Sequence, residues 1–96
     1  MSPDNYKKLK KLRKKLDLLD NSLINLIKKR TLLVNEVLKL KKYKNQIVDN
    51  KRIKIILNQI RKKSIKKNID PKITNRIWIN MIRAYIDYER RNFKNK

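Results

Sequence analysis

The 96-residue chain predicts an all-α fold of three helices, one long, one short and one medium, that associates as a helical homodimer. Three observations carry this. Leucines recur at alternating steps of three and four through the first half, Ile53, Ile56, Leu57 and Ile60 repeat with helical spacing, and Asn68-Ile69-Asp70-Pro71 is the clearest punctuation in the chain.

Leu9, Leu12, Leu16, Leu19, Leu23, Leu26, Leu33, Val37 and Leu40 form a sustained heptad pattern. It predicts one helix over residues 6–43, roughly 55 Å long at 1.5 Å per residue. Such a helix is far longer than a small protein is wide, so it calls for a second long helix beside it, most simply its own copy. Polar Lys44-Asn45-Gln46 interrupts the stripe, and Val48-Asp49-Asn50 offers capping chemistry for a new start. Ile53, Ile56, Leu57 and Ile60 then predict a short amphipathic helix over 50–66.

Asp70 can cap a third helix whose first residue is Pro71, with its preset φ. That helix is expected over 71–93, with Ile73, Ile77, Met81, Ala84 and Tyr88 on one side. A second stripe, Trp78, Ile82, Tyr85 and Glu89, lies beside it, and Phe93 to Lys96 are expected to fray. Residues 1–96 read as one domain, too short to bury a large core alone.

Composition narrows the chemistry. Without cysteine there is no disulfide framework and no thiol redox chemistry, and without histidine as well no metal site is expected. No cofactor is called for. The N-terminus lacks an apolar signal core and no stretch is apolar enough to span a bilayer, which reads as a cytoplasmic protein without a membrane partner.

The net charge of +21, from 29 Lys and Arg against 8 Asp and Glu, first suggests attraction to nucleic acid or anionic lipid. The abundance of Lys, Asn and Ile is also what an AT-biased coding sequence writes on tolerant surfaces. Because the lysines are scattered over every segment instead of forming one block, the sequence argues against nucleic acid as the partner. The positive field would still draw in a small anion.

Arg30 is the informative position. It falls in register with the leucines, where the heptad between Leu26 and Leu33 demands an apolar residue, and an unpaired guanidinium buried there would cost several kcal/mol. Something anionic is expected to meet it, either a glutamate on a neighbouring helix acting as a register device or a ligand. Arg13 follows Leu12 and Lys41 follows Leu40. On one continuous helix, Arg30 and Lys41 would project from nearly the same face about 16 Å apart.

With Arg13, Arg30 and Lys41 on a long first helix, Asp49-x-x-Arg52 opening the second and Glu89 on the third, the chain resembles the all-α (type II) chorismate mutases. The likeness runs from residue 9 to 93 and includes Leu12-Arg13-x-x-Leu16-Asp17-x-Leu19-Asp20 and Lys29-Arg30. It implies an intertwined homodimer with two shared active sites and a chorismate-like dicarboxylate substrate, in the shikimate pathway of aromatic amino acid biosynthesis.

Residue by residue, the resemblance implies that Arg13 of one chain and Arg30 of the other clamp the substrate carboxylates. Lys41 and Glu89 would serve the ether oxygen, and Asp49, Arg52, Ile53 and Tyr85 would line the pocket. Guanidinium forks suit carboxylates because they bind them bidentately. The implied isomerisation to prephenate is a concerted shift, needing conformational restraint and preorganised cations and no nucleophile. A millionfold acceleration asks about 8 kcal/mol of them.

Ile53 departs from the glutamate typical of mutases, which accepts from the ring hydroxyl. Arg52-Ile53 is closer to isochorismate-pyruvate lyases, which make salicylate, and to 4-amino-4-deoxychorismate mutases. Tyr85-Ile86-x-x-Glu89 is also similar to the lyase pattern, and Glu89 to the amino-deoxychorismate group and fungal mutases. Glu89 stands where a glutamine is common, and only its protonated form can donate to an ether oxygen. Two readings from other classes are a basic helical nucleic-acid-binding protein and a plain coiled-coil scaffold; the second leaves Arg30 without a purpose.

Overall fold

A computed structural model describes residues 1–94. The chain is all-α: α1 spans Pro3–Leu40, α2 Asn50–Lys66 and α3 Pro71–Asn92, with a short 3₁₀ turn at Lys44–Gln46. It divides into two units, Met1–Leu33 and Val34–Lys96.

The first helix begins and ends about three residues earlier than its leucine pattern predicts. Its start is set by Ser2, whose Oγ accepts from the Asn5 amide at 3.2 Å, and by Pro3, whose missing N–H falls where a helix has no use for one. Its end is set from beyond. The Gln46 side-chain oxygen accepts from the amides of Lys42 (2.8 Å) and Tyr43 (2.9 Å), giving these donors a partner outside the helical ladder. Lys41 therefore lies past the helix, its amide closing a tighter i→i+3 turn on the Leu38 carbonyl. The helical spacing that carried the comparison of Arg30 with Lys41 stops at Leu40.

Within the first unit, Leu12, Leu16, Leu19, Leu23, Leu26 and Leu33 are each between 54% and 62% exposed. In the second unit Val37 and Leu40 continue this bare apolar character, whereas Leu38 and Ile47 are buried.

Both later helices start as their capping residues dictate. Asp49 Oδ1 accepts from the Arg52 amide at 3.0 Å, and Asp70 Oδ1 from the Lys72 amide at 2.9 Å with Pro71 in the first turn. α2 ends in a Schellman motif: the Ile69 amide reaches the Ser64 carbonyl and the Asn68 amide reaches Ile65. That motif needs a left-handed residue, and Asn68 supplies it at φ 58° in a chain without glycine. The short link folds α3 back along α2, where the two pack together.

Near the turn the seam is polar. Buried Ser64 donates its hydroxyl to the Ile60 carbonyl or shares it with Thr74 Oγ1 at 2.7 Å. Farther along it is apolar, with Ile53, Ile56, Leu57 and Ile60 of α2 half-buried. On α3 Trp78, Ile82, Tyr85 and Glu89 are all shielded, as are Met81 and Tyr88 of the other stripe, whereas Ile73, Ile77 and Ala84 face solvent. A helix this amphipathic has two apolar faces to offer, and one partner helix covers only one of them.

Candidate active site

The second unit assembles a charged site at the end of the helical hairpin remote from the Asn68 turn. Lys41 enters from the segment just after α1 and Glu89 from the last turns of α3. Lys41 Nζ donates to Glu89 Oε1 at 2.9 Å, with the side chains only 19% and 9% exposed. Glu89 lies on the packed stripe of α3, so its carboxylate is buried with the apolar residues around it. Lys41 meets it at the C-terminal end of α1, where a cation is also favoured by the helix dipole.

Lys41 also lines an open hollow of about 440 Å³ together with Gln46, Val48 and Asp49. The connection between α1 and α2 thus brings a half-buried ammonium and a carboxylate to one depression. Asp49 is committed to the Arg52 backbone amide as a helix cap, which fixes its carboxylate at the rim. It holds no bond to the Arg52 guanidinium among the described residues; Arg52 is exposed, and Ile53 beside it is half-buried.

Tyr85 is half-buried one turn before Glu89, edge-on to Tyr88 with ring centroids 6.4 Å apart. Tyr88 donates its hydroxyl to Asn35 Oδ1 at 2.7 Å. This bond ties α3 to the last turns of α1 and helps hold Glu89 opposite Lys41. Asn35 carried no signal in sequence, since an isolated Asn beside a leucine stripe reads as surface. Gln46, which shapes the loop bearing Lys41, likewise looked only like a break.

Arg13 and Arg30 belong to the first unit. Arg13 is exposed on α1, and Arg30 is half-buried there. Of the eight candidate residues, then, Lys41 and Glu89 are in direct contact, Asp49 shares the hollow with Lys41, and Tyr85 sits on α3 beside Glu89's turn.

The chain is thus an all-α protein with a shielded Lys41–Glu89 ion pair beside an open hollow. The sequence profile of the family described as chorismate mutase type II matches residues 12–90, and the chain belongs to that family. No curated protein and no solved structure matches it.

Proposed function

We propose that the protein is a chorismate mutase, an isomerase that turns chorismate into prephenate by electrostatic and conformational preorganisation. Membership of the family supports a chorismate-like substrate. The single observation that carries the reading is Lys41, a half-buried ammonium anchored by Glu89 at the edge of a hollow. A lysine held at its tip spends little conformational freedom when a substrate oxygen arrives, and its charge acts in a partly desolvated place where it counts for more.

In this proposal Arg30 of one chain and Arg13 of a second copy bind the two carboxylates. Lys41 donates to the ether oxygen that gathers negative charge as the C–O bond breaks. Glu89 aligns Lys41 by accepting from its ammonium. Asp49 and Arg52 border the ring, with Ile53 and Tyr85 completing the wall.

The homodimer is part of the proposal. Six leucines of the first unit, each more than half exposed, make a larger apolar strip than soluble monomers ordinarily leave bare, and an antiparallel or intertwined copy would cover it. No helix among the described residues is long and apolar enough to cross a membrane, and we place the enzyme in the cytoplasm.

One observation favours a second reading. Ile53, apolar and half-buried next to Arg52, cannot accept from a ring hydroxyl, which suits a relative acting on isochorismate or on 4-amino-4-deoxychorismate. Incubating the purified protein separately with the three substrates and separating the products tests both, with Arg30→Ala as control. Prephenate supports the mutase reading, salicylate with pyruvate the lyase; turnover of none of the three rejects both.

A further inference from the structure

The stretch of α2 that leads to the α2–α3 turn carries a feature that a dicarboxylate isomerase does not need. Between Asp49 and Asp70 there is no acidic residue, and from Lys54 to the turn the interval holds Lys54, Arg61, Lys62, Lys63, Lys66 and Lys67. All six are exposed, and none forms an ion pair among the described residues. Spread out in sequence, they are drawn together in space, because folding winds them onto a stretch of about 20 Å that runs to the Asn68 turn.

The same end holds a cleft of about 330 Å³ between the two helices, lined by Leu57, Asn58, Arg61, Pro71, Lys72 and Asn75. Each helix contributes one cation and one carboxamide, and neither contributes a carboxylate. Lys54, Asn58 and Arg61 follow one another at i, i+4 and i+7, so a row of donors about 10 Å long leads along α2 into the cleft. The buried Ser64–Thr74 hydroxyl pair fixes the two walls relative to each other next to the turn.

We infer that this end of the hairpin binds the phosphate backbone of duplex nucleic acid, with one phosphate seated between Arg61 and Lys72. A guanidinium fork and an ammonium with flanking amide donors are the groups that hold phosphate oxygens. The donor row is long enough to reach two neighbouring phosphates of one duplex strand. No aromatic ring lines the cleft, so it offers no platform for unstacked bases, which favours a duplex over single strands. Binding is sequence-independent, because nothing there projects as a groove-reading element.

The cleft and the Lys41–Glu89 pair stand at opposite ends of α3, Lys72 and Glu89 being about 25 Å apart along its axis. Nucleic acid therefore docks without occupying the proposed active site, and the two readings fail independently.

The test is fluorescence anisotropy of the full chain with a labelled duplex of about 20 base pairs, titrated between about 50 and 200 mM salt. Arg61→Gln with Lys72→Gln is expected to weaken binding at least about tenfold and to flatten the log–log salt dependence by about two, one for each lost phosphate contact. The charge-preserving pair Arg61→Lys with Lys72→Arg is expected to keep the wild-type salt slope. Lys7→Gln with Lys8→Gln removes the same charge elsewhere and is expected to change affinity less than about threefold. Equal losses for the two glutamine pairs would overturn the site, since net charge alone would then explain binding. So would tighter binding to phosphatidylserine vesicles than to the duplex at equal salt. Chorismate turnover, followed in parallel, is expected to be unchanged by Arg61→Gln with Lys72→Gln.

Discussion

Lys41 and Glu89, 48 positions apart in sequence, meet through a 2.9 Å hydrogen-bonded ion pair that is largely shielded from water. A shielded pair of this kind is more costly to halve than to remove, because the survivor is left as an uncompensated charge. Lys41→Met is therefore expected to destabilise the fold by about 2–3 kcal/mol and to abolish turnover. Adding Glu89→Leu should recover most of the stability and none of the activity. Chemical denaturation alongside product assays checks both, and recovery of activity in the double variant would remove Lys41 from the chemistry.

Glu89 makes a prediction of opposite character. Glu89→Gln keeps a side-chain oxygen that can accept from Lys41, so it is expected to retain turnover within about tenfold of wild type, whereas Glu89→Leu is expected to abolish it. Steady-state kinetics of the two variants checks this, and equal losses would show that holding Lys41 by a hydrogen bond contributes nothing to the reaction.

Arg30→Ala is expected to lower kcat/KM by about a thousandfold, corresponding to about 4 kcal/mol of transition-state stabilisation. Arg30→Lys should recover little, since an ammonium cannot reproduce a two-pronged grip on a carboxylate. Steady-state kinetics with both variants measures this, and a loss below tenfold would take Arg30 out of the site.

The bare leucines of α1 make oligomeric state a direct readout. Leu19→Glu with Leu23→Glu is expected to convert a dimer into monomers and to reduce turnover at least about a hundredfold, because the proposed site draws Arg13 from a second chain. Sedimentation velocity at matched concentration gives the mass. A wild-type protein sedimenting as a monomer at micromolar concentration would refute the shared site.

The Tyr88–Asn35 bond is a structural tie with a measurable worth. Tyr88→Phe is expected to cost about 1 kcal/mol, lowering Tm by about 4–8 °C in a domain of this size. A double-mutant cycle with Asn35→Ala isolates the pair, and purely additive effects would show that the bond contributes nothing of its own.

The three helices were legible because each carries a periodic apolar stripe, and the starts of α2 and α3 because Asp49 and Asp70-Pro71 signal them locally. Ser2-Pro3 is an equally local start signal, but it stands well ahead of the leucine repeat, which begins only at Leu9. The end of α1 was less legible, since it depends on Gln46 reaching back to two amides, a choice made by loop geometry that no periodicity records. Lys41 and Glu89 could be named separately from their likeness to a family, yet their mutual bond depends on how the α1–α2 connection folds. On α3, two stripes of similar hydrophobicity compete, and only packing against neighbours shows that Trp78, Ile82, Tyr85 and Glu89 are shielded throughout while the other stripe is shielded only at Met81 and Tyr88.

Asn68 carries a constraint on how this sequence can drift. Left-handed backbone is tolerable to asparagine, aspartate and glycine and strained for a β-branched side chain, so an isoleucine, common elsewhere in the chain, would meet a steric penalty here. The reversal between the two shorter helices thus hangs on one carboxamide residue, and substitutions that leave every apolar contact untouched could still splay the hairpin and part the walls of the Arg61–Lys72 cleft.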